Sequence, residues 1–110
     1  MIRRMEEQEL SSCLMIIRQS FATVTKEFGL TSENCPTNGA FMPSAHLERE
    51  YRKGKLMYVY DAGGKLVGFM QLAKKEDGVY ELEKLAVLPE YRHRGYGAQL
   101  IHFAIQQVKA

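Results

Sequence analysis

The chain begins with apolar residues that repeat every three or four positions. Residues 1–5 favour a short edge strand, and a helical pattern follows from about Glu6. Its apolar members are Leu10, Cys13, Leu14, Ile17, Phe21, Val24 and Phe28. This spacing places them on one face of an α-helix, and Gly29 is a typical residue at a helix end. The pattern therefore predicts a strand and then a long amphipathic helix.

A shorter helix and three strands are predicted next. Ser44 is suited to cap a helix over 45–53, which Gly54 would end. Aromatic and apolar residues then concentrate in three segments separated by turn-forming residues, namely 56–60, 66–73 and 79–88. This order predicts an antiparallel meander. Both faces of these strands carry apolar residues, so we expect helices on both sides of the sheet.

The last predicted element is a helix that starts at about Gly97. Its apolar repeat consists of Leu100, Ile101, Ala104, Ile105 and Val108. The element order is therefore β-α-α-β-β-β-α. We expect an α/β fold (α+β, with a mixed sheet) in a single domain over 1–110.

Composition and charge exclude several classes of protein. The 110 residues are 45% hydrophobic and 25% charged, with a net charge of +2, which is ordinary for a globular protein. Basic and acidic residues alternate, which argues against nucleic acid as a partner. The longest apolar run, Cys13 to Ile17, is too short to span a bilayer, and nothing resembles a signal peptide. Cys13 and Cys35 match no metal spacing, so we expect idle thiols, no metal and a cytoplasmic location.

The segment most informative about chemistry runs from 82 to 97. A strand is followed by Pro89, a basic turn, two glycines (Gly95 and Gly97) and a helix. A helix N-terminus has unpaired N–H groups and about half a positive charge, and glycines let an anion approach closely. This arrangement favours a bound pyrophosphate. Leu100 stands where a dinucleotide-binding fold has its third glycine, and the Gly-Lys-Ser/Thr of a Walker loop is absent.

These residues resemble a known family. Arg92-His93-Arg94-Gly95-Tyr96-Gly97 matches the (Arg/Gln)-x-x-Gly-x-(Gly/Ala) signature of the GNAT family of N-acetyltransferases, and Leu85 to Tyr91 is typical of the strand before it. The resemblance covers essentially the whole chain but only the first two-thirds of the family's domain. It implies a GNAT-like fold truncated before the C-terminal strands and helix, so the domain would be C-terminally incomplete.

The resemblance also implies roles for individual residues. The co-substrate would be acetyl-CoA, attacked directly by an amine without a metal or a covalent enzyme intermediate. Backbone groups of Leu85, Ala86 and Val87 would pair with the pantetheine arm, and the amide near Val87 would face the thioester oxygen. The pyrophosphate would be held by N–H groups of the turn and the helix start, namely Arg92, His93, Arg94, Gly95, Tyr96, Gly97 and Ala98.

An attacking amine needs to lose a proton first, because its pKa is about 10.4. Glu81 and Glu83 lie two residues apart, and therefore on one face of a regular strand. GNAT proteins place a base at one position or the other, and the Leu82-Glu83 pair is similar to small-molecule acetyltransferases, so we rank Glu83 first. Either Glu could instead pair with Lys84 or across the sheet, and a bulge near Ala86 would change which way later residues face.

The resemblance implies an N-acetyltransferase that acts on a primary amine of a small molecule or peptide. The alternative is a non-catalytic acyl-CoA-binding module or an inactive fragment, because the second half of the domain is missing. Its absence would leave the third meander strand with a free edge. We therefore expect self-association into a homo-oligomer. The loop over 34–43 lies where GNAT proteins often build acceptor specificity.

Overall fold

A four-stranded sheet forms the centre of the molecule. The computed structural model describes residues 1–28 and 39–109. The elements are β1 (Ile2–Arg4), α1 (Leu10–Phe28), α2 (Ser44–Arg52), β2 (Leu56–Ala62), β3 (Lys65–Lys74), β4 (Tyr80–Val87) and α3 (Tyr96–Lys109). This is the predicted order. The predicted helix end at Gly29, the thiol of Cys35 and most of the loop over 34–43 lie outside the described residues.

The strands follow one another across the sheet in the order β1-β2-β3-β4, and each is antiparallel to its neighbour. The predicted meander is confirmed, and with it the α/β class. Strand β1 occupies one edge and β4 the other. The chain turns from β4 directly into α3, so the segment predicted to carry chemistry lies beside an edge strand.

Helices cover both faces of the sheet, as the apolar residues on both faces predict. Helices α1 and α2 pack against Val59, Val67 and Phe69, all of which are fully buried. Helix α3 packs on the opposite face, where Met70 and Leu72 contact Leu100. Side chains alternate between the faces along each strand, which explains why β3 is buried on both.

Gly68 sets how closely α3 approaches the sheet. A Cβ atom at this position would lie 3.1 Å from Leu100 Cδ1 and 3.3 Å from Tyr60 Cβ. Such distances are tighter than ordinary van der Waals contact, so a larger residue would push the helix outward. Gly68 is paired with Val87 of β4. The glycine therefore positions the start of α3 against the end of β4.

Two helix starts differ from the predictions. The predicted cap at Ser44 is wrong, because Pro43 occupies the N-cap position without a capping side-chain bond. Helix α1 begins at Leu10 rather than at Glu6, after a 3-10 turn over Glu7–Glu9. The Glu6 amide donates to Glu9 Oε1 at 2.9 Å, which closes this turn. Because of this local hydrogen bond, the α-helix begins about one turn later in the chain than predicted.

No helix within 1–28 or 39–109 combines the length and the apolar character that crossing a membrane requires.

An ion pair between β1 and the turn before α1 makes the free energy of unfolding depend on pH in the acidic range. Arg3 donates to both Glu9 oxygens at 2.9 and 2.7 Å, and this lowers the pKa of Glu9 from 4.5 to about 2. Because the folded pKa lies below the unfolded one, the contribution is complete above pH 4.5 and is lost as pH falls toward 2. We expect Glu9→Gln to flatten the loss of stability in that range, measured by chemical unfolding at several pH values. The exposed Glu7→Gln is the matched control, and an equal effect of both substitutions would contradict this assignment.

Candidate active site

The turn between β4 and α3 has a backbone shape suited to binding an anion. A 3-10 turn at Pro89–Tyr91 is followed by His93 with φ 65° and Gly95 with φ 81°, both in the left-handed region. Left-handed residues alternating with ordinary ones point successive N–H groups into one concave surface. His93, Arg94 and Gly95 are exposed, so solvent reaches this surface.

The amide groups of this turn are largely unpaired. Gln99 makes the first helical bond, to the Gly95 oxygen at 3.0 Å, and Arg92 donates to the Pro89 oxygen at 3.2 Å. Between these two, the N–H groups of residues 93–98 donate to no oxygen of the described residues. The Arg92 amide, which the sequence analysis included among the phosphate-binding groups, is therefore already bonded within the turn. Unpaired N–H groups at a helix start and in the turn before it are a typical place for an anion to bind.

The Arg92 side chain is directed at α1. Its Nη1 donates to Thr23 Oγ1 at 2.8 Å, and its Nη2 donates to the Ser20 carbonyl oxygen and to Ser20 Oγ. A guanidinium engaged in this way anchors the turn to the helix across the molecule. In the sequence analysis a role is given to the backbone N–H of Arg92 but no anchoring role to its side chain, because the long-range contact of this side chain with α1 has no local sequence signal.

We expect Arg92→Ala to reduce the free energy of unfolding by about 2 kcal/mol, since it removes several hydrogen bonds from a charged donor. Chemical denaturation measures this loss. Arg94→Ala is a matched control, because it removes the same charge from the same turn but only an exposed stacking contact with Tyr91. Equal stability of the two variants would contradict the anchoring role of Arg92.

The backbone requires glycine at one of the two glycine positions in the turn but not at the other. Position 95 favours glycine because its backbone is left-handed, with φ 81°. Gly97 lies at the first turn of α3, and a Cβ there would meet only Val87 Cγ2 at 4.0 Å. Packing within the chain therefore does not demand glycine at position 97. The open space above it is where a bound group would approach the amides.

A lysine from a distant hairpin adds positive charge beside the turn. Lys65 Nζ lies 5.2 Å from the centroid of the Tyr91 ring, and Arg94 Cζ lies 5.1 Å from the same centroid. Both cations thus lie against Tyr91, a residue of the turn that precedes the exposed amides. Sequence reasoning missed Lys65, because only the fold of the β2–β3 hairpin brings it to the turn.

Strand β4 offers backbone groups along its open edge. The Leu88 amide donates to the Val67 oxygen of β3 at 2.9 Å. Because backbone groups alternate in direction along a strand, Val87 and Leu85 direct theirs away from β3. Ala86 is buried against the α1 face of the sheet. Leu85 and Val87 thus present N–H and C=O groups where an extended ligand could pair, at the end of the strand nearest the amide turn.

A bulge in β4 lies at Glu83. Gln71 of β3 pairs with Lys84, and the next residue, Leu72, pairs with Leu82, so Glu83 is the extra residue. The bulge therefore lies nearer the start of β4 than the position close to Ala86 that the sequence analysis considered. An extra residue bends its strand and changes the direction of a side chain, which is why bulges occur beside active sites.

The two candidate carboxylates have different surroundings. Glu83 accepts a hydrogen bond from Gln71 Nε2 at 2.9 Å and an ion pair from Lys55 Nζ at 3.1 Å, with its side chain 19% exposed. Glu81 is 59% exposed and pairs with Lys75 at 3.5 Å. Among the described residues neither forms an ion pair with Lys84, and both pair instead with side chains of neighbouring segments. The structure therefore separates a held, part-buried carboxylate from a solvated one.

The charge state of Glu83 follows from these contacts. Partial burial of the carboxyl group raises its pKa. The hydrogen bonds from Gln71 and Lys55, together with the charges of Lys55 and Lys75, lower the pKa by more than burial raises it. The pKa of Glu83 therefore lies below its ordinary value. Glu83 is an anion at neutral pH. Such a group attracts an ammonium and can accept a proton in a concerted step or through water.

No group of three or more His, Cys, Asp or Glu side chains in residues 1–28 and 39–109 is arranged to hold a metal ion.

Comparison with known proteins gives a family match. The model of the acetyltransferase (GNAT) family matches residues 26–110. No curated protein sequence matches the chain.

Solved structures with the same fold include three acetyltransferases. A GNAT acetyltransferase from Brucella melitensis in complex with acetyl-CoA superposes with a TM-score of 0.77 at 19% identity. An aminoglycoside 6'-N-acetyltransferase complexed with coenzyme A has a TM-score of 0.69 at 14% identity. The ribosomal-protein-S18-alanine N-acetyltransferase from Escherichia coli has a TM-score of 0.75 at 17% identity.

The chain is shorter than each of these proteins. The three alignments cover 99%, 99% and 98% of this chain, but only 68%, 55% and 58% of the respective neighbours. At these identities the likeness establishes the shared fold.

Proposed function

Since the chain belongs to the GNAT family of acetyltransferases, we propose that it transfers the acetyl group of acetyl-CoA to a primary amine of a small molecule or peptide. One observation carries the proposal. Six backbone amides, from His93 to Ala98, lie unpaired at the start of α3, next to the open edge of β4. A pyrophosphate with an extended arm is the kind of ligand that uses both features.

The residues fit acetyl-CoA. The amides of His93, Arg94, Gly95, Tyr96, Gly97 and Ala98 would hold the pyrophosphate, supported by the charges of Arg94 and Lys65. Leu85 and Val87 would pair with the pantetheine arm as an added strand does, and the Val87 amide would stabilise negative charge on the thioester oxygen. When bound, acetyl-CoA supplies the acetyl group as an activated thioester.

Glu83 is the proposed base, and Glu81 is the second candidate. The Glu83 carboxylate attracts the acceptor as an ammonium, then receives its proton directly or through a water molecule as the amine attacks. Two of the similar proteins support a primary amine as acceptor, because their names specify an aminoglycoside and a ribosomal-protein alanine. The partner is therefore proposed to be a small-molecule or peptide amine.

The second candidate function is a non-catalytic acyl-CoA-binding module. It is favoured by the length of the chain, which spans only 55–68% of the three neighbours compared. The amide turn and the open edge of β4 are present in full, whereas groups that complete a catalytic site could lie on the part that the alignments leave uncovered. Binding without transfer is the outcome that this alternative expects.

Acetyl-CoA titration with detection of thermal unfolding tests both functions. A ligand at a hundred times its dissociation constant stabilises the folded state by about 2.7 kcal/mol, which raises the melting temperature by several degrees. Adenosine, which lacks the pyrophosphate, is the control ligand and should have no effect. Absence of a shift with millimolar acetyl-CoA would remove both candidate functions. Thiol release across a panel of amines then separates transfer from binding alone.

We also propose that the start of β4 pairs with a second copy of the chain, which leaves Leu85 and Val87 near its end to the acetyl-CoA arm. Two large apolar side chains at this end of the sheet, Val79 and Leu82, are 56% and 45% exposed. An unpaired edge with apolar side chains is a template for strand pairing. We expect the apparent mass in size-exclusion chromatography to rise with concentration, and Leu82→Lys to prevent the rise. Ile105→Lys on α3 is the control, since Ile105 has a similar exposure of 46%. A monomer at every concentration would refute the pairing.

A further inference from the structure

A buried amide next to the proposed base uses only part of its hydrogen-bonding capacity. Gln71 lies on β3 and is completely buried. Its Nε2 donates to Glu83 Oε1 at 2.9 Å, whereas its Oε1 has no partner in the described structure. An unsatisfied buried oxygen destabilises the folded state, and an apolar side chain of similar length would avoid that loss. Packing alone therefore does not explain a glutamine at this position.

Lys55 approaches the same carboxylate from a different part of the sheet. It immediately precedes β2, and its Nζ lies 3.1 Å from Glu83 Oε2 with the side chain 21% exposed. Gln71 and Lys55 thus bind different oxygens of one carboxylate. Two donors at two oxygens restrict the rotation of the carboxylate plane, which a single contact does not. The bulge at Glu83 presents the side chain to both donors.

We propose that Gln71 and Lys55 are positioning residues, which aim the Glu83 carboxylate and hold it ionised for the acceptor amine. The inference rests on the proposed function, because it assigns roles to the neighbours of the proposed base. Preorganised groups of this kind reduce the rearrangement needed during reaction.

The charges around Glu83 are consistent with this arrangement. Burial raises the pKa of the Glu83 carboxyl, and the bonds from Gln71 and Lys55 reverse that effect, with a smaller contribution from the charge of Lys75. Removing either donor should therefore raise the pKa of Glu83 toward or above its ordinary value. A higher pKa moves the acid limb of kcat/KM to higher pH, because the carboxylate form is the active one.

Gln71→Met is the decisive variant, because methionine fills a similar volume without a buried polar group. We expect a kcat lower by on the order of tenfold to a hundredfold and an upward shift of the Glu83 titration. Carbon NMR of the carboxyl group measures that titration in the ligand-free chain. A purely structural glutamine would instead lower the melting temperature and leave the kcat of the folded variant where it was.

Lys55→Met and Lys55→Arg provide a second, independent pair. Methionine should raise the pKa of Glu83, and arginine should keep it low. Val67→Ala is the control for damage to the core, because Val67 is fully buried on β3, the strand that also carries Gln71. This variant should lower stability without changing the pKa of Glu83. A Glu83 titration that neither Gln71→Met nor Lys55→Met alters would overturn the proposal. Failure of the unmodified chain to bind acetyl-CoA would be a separate result, against the proposed function itself.

Discussion

Replacing Gly97 with Glu should weaken acetyl-CoA binding by about a hundredfold or more. The new carboxylate would extend from the first turn of α3 beside the unpaired amides of residues 93–98, where the pyrophosphate is proposed to bind. It would repel the ligand's charge and compete for the same N–H groups. Each hydrogen bond to a charged group contributes about 1.5–3 kcal/mol, and about 2.7 kcal/mol corresponds to a hundredfold change in affinity. Isothermal titration calorimetry measures the dissociation constant directly.

Two controls separate charge at the turn from other effects. A Cβ at position 97 meets only Val87 Cγ2, at an ordinary contact distance of 4.0 Å, so Gly97→Ala should fold normally and lose much less affinity. Gln106→Glu introduces the same charge two turns farther along α3 and should leave binding nearly unchanged. If Gly97→Glu bound acetyl-CoA as tightly as the unmodified chain, the ligand would have to lie elsewhere.

Replacing Glu83 with Gln should lower kcat by about a hundredfold or more while the dissociation constant of acetyl-CoA stays the same. A positioned base contributes about 10²–10⁴ to a rate, and the amide of glutamine has nearly the same shape but cannot accept the proton. Glu83 lies on the bulge, whereas the proposed phosphate amides lie beyond the end of β4, so the two functions should separate. Steady-state kinetics with a reactive amine, together with calorimetry, measure both quantities.

Glu81→Gln is the matched control for this prediction. It removes the same charge two residues away, at a side chain that is 59% exposed and pairs only with Lys75 among the described residues. We expect its kcat to remain within about twofold of the unmodified chain, as for a solvated surface group. A large loss in Glu81→Gln with no loss in Glu83→Gln would move the base to Glu81. An unchanged kcat in both variants would mean that neither glutamate is the base and that water accepts the proton of the amine.

The repeat of apolar residues was sufficient to predict the elements, because each helix and strand buries one continuous face. Helix α1, the meander and α3 follow directly from three- and four-residue or two-residue periods. Errors arose at helix starts, where the local backbone decides the boundary. Pro43 rather than Ser44 lies at the N-cap of α2, and the bond from the Glu6 amide to Glu9 delays α1. Such bonds have energies of about 1 kcal/mol, which a pattern of hydrophobicity does not resolve.

The candidate site divides in a similar way. The glycines and the helix start near Gly97 are adjacent in sequence, so a turn with exposed backbone amides was predictable from local residues alone. The pairing of Glu83 with Lys55 and Gln71 was not predictable, because three separate segments meet there. The bulge is also invisible in the sequence, since it depends on how β4 aligns with β3. Arg92 shows the same limit, because its partners lie on α1.

The sequence by itself determined the succession of elements, the family and the turn from which a phosphate-binding site can be built, because all of these depend on residues close together in the chain. Only the tertiary structure decided which amides of that turn are unpaired, which of two glutamates is held by hydrogen bonds, and which cations lie beside each. Those properties depend on contacts between distant segments, and their energies come from burial and from charges that approach one another only after the sheet and helices have packed.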